Sequence, residues 1–132
     1  MLNPFPIQFL ALFAYTILRA CVGAILIYLG LAHIKHREEL REKFSFPLLP
    51  FGRAFAWYLG IVELVVGAMF FMGFYTQIAA LLSCLLSLKF IVMNKRFASP
   101  SVPGRLFYVL LLAASFSLFI TGAGFFAFDL PI

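Results

Sequence analysis

The chain has 132 residues, of which 64% are hydrophobic and 11% are charged, and its formal net charge is +5 at pH 7. A soluble domain has about 45 to 50% apolar and about 25% charged residues. The remaining polar side chains are too few to cover a water-facing surface, so the composition predicts an integral membrane protein. The length leaves room for a single domain, which we expect to comprise residues 1–132.

Four apolar segments follow one another along the chain, each near the roughly 20 residues that a helix needs to cross a bilayer. We expect helices at about 7–34, 54–74, 76–93 and 106–122. Loops that contain proline separate the first segment from the second and the third from the fourth, and only GFYTQ separates the second from the third. The alternation typical of a membrane barrel is absent. The sequence therefore predicts an all-α, integral membrane four-helix bundle.

The distribution of basic residues predicts the orientation of this bundle. Lys and Arg favour the cytoplasmic side in short loops, and the opposite face carries none. We therefore expect a multi-pass protein of the bacterial cytoplasmic (inner) membrane with both termini on the outer, periplasmic side. The loop residues that carry this prediction are Lys35, Arg37, Arg41, Lys43, Arg53, Lys95, Arg96 and Arg105.

The excess of positive charge does not indicate a nucleic-acid partner. Glu38, Glu39 and Glu42 alternate with the bases of the first loop, so no continuous basic patch forms, and the chain has no base-reading motif. The partner that we expect instead is the lipid bilayer, with its anionic headgroups near the basic loops.

Two opposite charges, Arg19 and Glu63, lie inside the first and second apolar segments. Each is about 11 residues from the outer end of its helix, which corresponds to roughly 16 Å. A charge inside a bilayer costs at least about 3 kcal/mol and usually finds a partner in the bundle interior. We therefore predict a buried ion pair between Arg19 and Glu63, formed directly or through water.

Helical spacing places small residues on the same faces as these charges. Gly23 and Gly30 share a face with Arg19, and Gly60 and Gly67 share a face with Glu63. Small residues let membrane helices approach closely, so the four glycines form a predicted packing seam. The pair inside that seam either holds two helices in register or forms a polar site for a ligand or a proton.

Lys89 and His33 are secondary candidates. Lys89 lies near the inner end of the third segment, opposite the small residues Ala80, Ser83 and Ser87, and a lysine placed there can extend to the headgroups. His33 shares the glycine face of the first helix, and His36 follows three residues later. No carboxylate or cysteine completes a recognisable metal site, so we expect no bound metal.

The cysteines and the last acidic residue give weaker signals. Cys21 and Cys84 belong to no CxxC motif, and buried single cysteines usually act as small apolar residues. Asp129 either caps a helix end at the outer surface or belongs to a tail that folds over the mouth of the bundle. No hydrolase, zinc-protease, P-loop or dinucleotide fingerprint is present, so the catalytic residues stay unknown.

Three stretches stand in a familiar order: ILRACVGAILIYLGLAHIK, GIVELVVGAMFFMGFYTQIAALL and ITGAGFFAFDL. Together they resemble the DoxX family of small four-helix bacterial membrane proteins. The similarity extends over residues 15–130, apart from the basic first loop. The motif positions implied by this resemblance are Arg19, Gly23, Gly30, Glu63, Gly67, Gly73, Gly122, Gly124 and Asp129.

The resemblance implies a function linked to quinone, since relatives include the membrane subunit of a thiosulfate:quinone oxidoreductase. The first hypothesis is a quinone-interacting component of an oxidoreductase complex, with a redox subunit as its partner. Many aromatic side chains in the outer or inner thirds of the helices are compatible with an apolar slot for a quinone, with Arg19 and Glu63 as the polar groups of that site. The second hypothesis is a scaffold or assembly subunit without catalytic activity. A small transporter is disfavoured because the two halves of the chain show little similarity.

Overall fold

A computed structural model describes residues 8–39, 52–93 and 103–122 of the chain. It contains four long helices, α1 (Gln8–Lys35), α2 (Gly52–Met72), α3 (Thr76–Val92) and α4 (Arg105–Thr121). A further short helical stretch at 37–39 follows a turn at His36, and no strand occurs within the described ranges. The prediction of an all-helical chain is confirmed, and each long helix begins and ends within two residues of its predicted bounds.

The helices differ in length. The segments Leu10–Lys35 and Ala54–Met72 are long and apolar enough to cross a membrane. The helices α3 and α4 are also apolar, but each has 17 residues and is therefore about 26 Å long at 1.5 Å per residue. These lengths and compositions fit a four-helix membrane bundle.

Two closely packed helix pairs build the bundle. The helix α1 packs along α2, and α3 packs along α4, while smaller contacts join α2 to α3 and α1 to α4. The helices α1 and α3 are therefore diagonally opposite. We call the end that carries Lys35 and Arg105 the basic end, and the end where α2 turns into α3 the hairpin end.

Glycines bring the backbones of α1 and α2 together. A β carbon added to Gly30 would lie 2.6 Å from the carbonyl oxygen of Gly60, and one added to Gly67 would lie 2.8 Å from that of Gly23. All four glycines of the predicted seam thus lie in the α1–α2 interface. Their contacts define the register of the antiparallel pair, with residue 23 opposite 67 and residue 30 opposite 60.

The hairpin end begins with a glycine in a left-handed conformation. Gly73 has φ of 68°, which a glycine adopts without steric cost. The Gly73 N–H donates to the Phe70 carbonyl and the Phe74 N–H donates to the Met69 carbonyl, as in a Schellman motif. These two bonds end α2 and allow α3 to begin at Thr76.

The interface between α3 and α4 contains small residues. Ala80, Ser83 and Ser87 on α3 are all fully buried. The Ser83 hydroxyl shares a hydrogen bond of 2.7 Å with the hydroxyl of Ser115 on α4. Interhelical hydrogen bonds of this kind help membrane helices to associate. A hydrogen bond between side chains thus contributes to the α3–α4 interface, whereas close backbone packing at glycines is the main feature of the α1–α2 interface.

Candidate functional site

A histidine and a glutamate form the most buried ionisable pair in the described part of the chain. Nδ1 of His33 on α1 and Oε2 of Glu63 on α2 lie 2.5 Å apart. The two residues are 0% and 1% exposed, respectively. At this distance the two atoms share one proton in a hydrogen bond, so the pair can hold a proton on either residue.

The direction of helical side chains explains why these two residues meet. Side chains lean toward the N-terminus of their own helix. Because α1 and α2 run in opposite directions, the His33 side chain leans toward the hairpin end and the Glu63 side chain leans toward the basic end. The two side chains therefore reach toward each other across the register that the glycines define.

The structure places His33 against Glu63 and does not bring Arg19, the predicted partner, into direct contact with it. Arg19 is buried on α1. Because residue 23 lies opposite residue 67, Arg19 is level with the last turn of α2. That level is about 12 Å along the helix axis from Glu63, at 1.5 Å per residue. The two side chains also lean in opposite directions. The prediction counted residues from the helix ends, yet α1 extends about ten residues past the end of α2, so equal counts do not give equal depths.

Three parallel rings continue from the pair across the centre of the bundle. The His33 ring stacks on Phe90 of α3, with centroids 5.6 Å apart and planes 7° apart. Phe90 stacks in turn on Tyr108 of α4, at 4.6 Å and 7°. We call Glu63, His33, Phe90 and Tyr108 the central column. Each of the four helices contributes one member, and every member is at most 1% exposed.

Two hydroxyl groups, one next to the central column and one on its member Tyr108, have no hydrogen-bond partner in the part of the chain that the structure describes. They are Oγ of Ser87, one turn before Phe90 on α3, and the phenolic OH of Tyr108. A buried polar atom without a partner is rare in native proteins and costs about 1 to 3 kcal/mol. Both groups can donate a hydrogen bond to an acceptor oxygen.

Lys89 adds a positive charge at the edge of this site. Its ammonium lies 4.0 Å from the ring centroid of Phe55 on α2 and within electrostatic range of the Glu63 carboxyl group. The residue is half-buried. Its side chain extends toward the basic end, where Phe55 lies in the first turn of α2. It therefore brings a cation to the same half of the bundle as the His33–Glu63 pair.

The other secondary candidates do not join the column. Cys21 is exposed, Cys84 is half-buried, and both are free thiols. Cys84 faces α4, where its Sγ lies 4.0 Å from the Leu112 carbonyl oxygen. No three His, Cys, Asp or Glu side chains group as a metal site within the described ranges. Asp129 and Gly124 lie outside the described residues.

Comparison with protein families decides the assignment. The family model described as DoxX matches residues 14–95, which comprise α1 from residue 14 onward, α2 and α3, with the connections between them. The chain belongs to the DoxX family. The resemblance to DoxX is thereby confirmed. The first two of the three sequence stretches lie within the match, and ITGAGFFAFDL lies outside it. DoxX membership together with the apolar helices identifies a small membrane protein. Searches of curated proteins and of solved structures find no match.

Sequence reasoning identified half of the central column in this DoxX protein. Glu63 was the main candidate and His33 a secondary one. The signal for His33 was its position on the glycine face of α1, three residues after Gly30. No spacing in the sequence distinguished Phe90 or Tyr108 from the many other aromatic residues, because their position in the column depends on contacts between different helices.

Proposed function

We propose that this DoxX protein is a multi-pass protein of the bacterial cytoplasmic membrane that binds quinone at the His33–Glu63 pair, as the membrane component of an oxidoreductase complex. The observation that carries the proposal is the hydrogen bond between two fully buried ionisable side chains. Ionisable residues inside membrane helices are rare and usually mark proton paths or substrate sites.

A purely structural role accounts poorly for this pair. A buried ion pair is often no more stabilising than apolar residues of similar volume. The neighbouring glycines already hold α1 and α2 in register through direct backbone contact. The packing of α1 against α2 therefore does not require His33 and Glu63. A site that exchanges protons with a ligand requires ionisable side chains such as these two.

The residues around the pair fit a quinone. A quinone site needs apolar walls with a few polar groups aimed at the carbonyl oxygens, and bound quinone supplies a carrier of two electrons and two protons. Phe90 provides an apolar wall, and the buried hydroxyls of Ser87 and Tyr108 are available as donors. The His33–Glu63 pair holds a proton at Nδ1 or Oε2, and a redox subunit is the partner proposed as the electron source.

The proposed orientation of the bundle in the membrane follows from the basic residues at one of its ends. Lys35, Arg37 and Arg105 lie there, while the turn between α2 and α3 has no Lys or Arg. The positive-inside rule then favours a cytoplasmic basic end, which would leave both termini on the periplasmic side. The single-domain organisation of residues 1–132 is part of the same proposal.

A scaffold subunit is the second candidate function. It is favoured by the part of α1 that extends past the hairpin end, where apolar side chains are exposed. These are Leu10, Leu12, Phe13 and Ile17. In a scaffold this surface would contact another membrane subunit, and the His33–Glu63 pair would only join two helices.

Extraction and mass spectrometry of quinone from gently purified protein test the proposal. We expect near-stoichiometric quinone in the wild type and at least about tenfold less in Glu63→Gln and His33→Gln, a change that corresponds to about 1.4 kcal/mol of binding free energy. Both substitutions keep a polar side chain but replace the titratable group with an amide, which neither gains nor loses a proton at ordinary pH.

His36→Gln is the matched control, because His36 lies one turn away on α1 and its Nδ1 lies 3.0 Å from the backbone carbonyl oxygen of Ala32. It should retain quinone at the wild-type level. Absence of quinone from the wild type would reject the proposal and favour the scaffold. Equal quinone in all four proteins would show that the pair is not the site.

A further inference from the structure

The hydroxyl group of Tyr108 is a feature that packing alone does not require. The residue is 1% exposed, and its OH has no hydrogen-bond partner in the described part of the chain. A phenylalanine would fill the same space without burying an unsatisfied donor, and the chain uses phenylalanine 18 times. The hydroxyl therefore costs stability in the ligand-free protein.

Neighbouring rings hold this hydroxyl in one direction. One face of the Tyr108 ring stacks on Phe90 at 4.6 Å, and the ring of Phe107 meets it edge-on at 5.5 Å. The phenolic oxygen lies in the plane of the ring, so fixing the ring also fixes the oxygen. A donor that is already oriented loses little conformational entropy when it binds an acceptor.

The hydroxyl belongs to the same electrostatic environment as the pair. Tyr108 lies within electrostatic range of the Glu63 carboxyl group. Its ring plane is also nearly parallel to that of His33, because each lies 7° from the plane of Phe90. Proton-holding groups on α1 and α2 and a hydrogen-bond donor on α4 thus occupy one region of the bundle.

We infer that Tyr108 is a binding residue of this site, and that its hydroxyl donates a hydrogen bond to a carbonyl oxygen of the quinone. The inference rests on the proposed function and extends it to α4, a helix that lies outside the family match at residues 14–95. Tyr108 then brings α4 into a site to which α1, α2 and α3 already contribute.

The fluorescence of Trp57 can be used to measure ligand binding. This residue is the only tryptophan of the chain, and it lies on α2 six residues before Glu63, about 9 Å along the axis at 1.5 Å per residue. A short-chain ubiquinone, added to detergent-purified protein stripped of lipid, should quench its fluorescence in a saturable manner. Non-specific partition into the micelle gives a linear change instead.

In Tyr108→Phe we expect the Kd of the short-chain ubiquinone to rise about fivefold to tenfold, the effect of losing one hydrogen bond. The melting temperature of the ligand-free variant should equal or exceed that of the wild type, because the unsatisfied hydroxyl is gone. Tyr28→Phe is the matched control, since Tyr28 is 73% exposed, and its Kd should not change.

The outcomes separate the inference from the function on which it rests. If His33→Gln weakens binding and Tyr108→Phe does not, the inference is overturned and the proposed function stands. If the wild type shows only linear quenching, the proposed function fails, and the inference fails with it. A lowered melting temperature in ligand-free Tyr108→Phe would also overturn the inference, because the hydroxyl would then have a structural partner.

Discussion

At the scale of single residues, the His33–Glu63 hydrogen bond joins the two buried groups whose isolation would be most costly. Removing one partner of a buried pair leaves the other without its hydrogen bond in an apolar interior, and the cost of that isolation exceeds the net value of the bond. The two residues should therefore be coupled energetically, whereas Arg19 should behave independently of Glu63.

A double-mutant cycle measures this coupling. We expect His33→Leu and Glu63→Leu each to lower the free energy of unfolding by about 1 to 3 kcal/mol. The double variant should lose less than the sum of the two, since neither polar group is left without a partner. Reversible unfolding in mixed detergent, followed by circular dichroism, supplies the measurement.

Arg19→Gln combined with Glu63→Gln is the control cycle. Sites more than about 10 Å apart with no shared partner are usually additive within about 0.5 kcal/mol. Strong coupling between Arg19 and Glu63 would contradict the register described above, and additive effects of His33 and Glu63 would contradict their hydrogen bond.

At the scale of helices, the α1–α2 interface depends on the absence of side chains at four positions. Gly23, Gly30, Gly60 and Gly67 allow backbone contacts that any β carbon would block. Close approach strengthens packing between membrane helices. The same approach brings His33 and Glu63 within hydrogen-bond distance, so the glycines determine the geometry of the site as well as the packing.

Gly30→Ala tests this dependence. Alanine is the better helix former by about 1 kcal/mol, but here its β carbon would lie 2.6 Å from the Gly60 carbonyl oxygen. We expect the clash to prevail, with a net loss of about 1 to 3 kcal/mol in the free energy of unfolding and weaker quinone retention as α1 and α2 separate.

Gly104→Ala is the matched control for this substitution. A β carbon at Gly104 would meet no atom within 4 Å, and its backbone φ of −68° suits any residue. Its free energy of unfolding should stay within about 0.5 kcal/mol of the wild type. A stabilising effect of Gly30→Ala would show that the two backbones are not in contact.

At the scale of the whole molecule, the bundle consists of two helix pairs, which the turn between α2 and α3 joins at the hairpin end. Glycine contact holds α1 to α2, and the Ser83–Ser115 hydrogen bond helps to hold α3 to α4. The stack of His33 on Phe90 connects α1 with α3 across the diagonal. The candidate site therefore lies between the two helix pairs. A change in the distance between the pairs would change the geometry of the site.

The orientation of this bundle in the membrane can be read by cysteine labelling. In a background without Cys21 and Cys84, we expect Gln77→Cys at the hairpin end to react with a membrane-impermeant maleimide added to spheroplasts. Glu38→Cys at the basic end should react only after permeabilisation. Both positions are exposed, so labelling depends on the side of the membrane from which the reagent reaches them. The reverse pattern would reject the proposed orientation.

The sequence by itself determined the class of the protein and most of its local structure. Its apolar fraction and segment lengths identified a helical membrane protein, because helix formation inside a bilayer depends on the local run of apolar residues. The glycine after α2 marked the hairpin, since the chain requires a positive φ at Gly73. The order of the motifs sufficed to recognise the DoxX family.

Only the tertiary structure decided which charged residues meet. The choice of His33 over Arg19 as the partner of Glu63 depends on how far α1 slides along α2, and the glycine contacts set that distance. The role proposed for Tyr108 depends on a stack with Phe90 that joins two helices across the α3–α4 interface. Residue spacing reports the face of one helix, but it contains no information on the register between two helices, and register decides the partners.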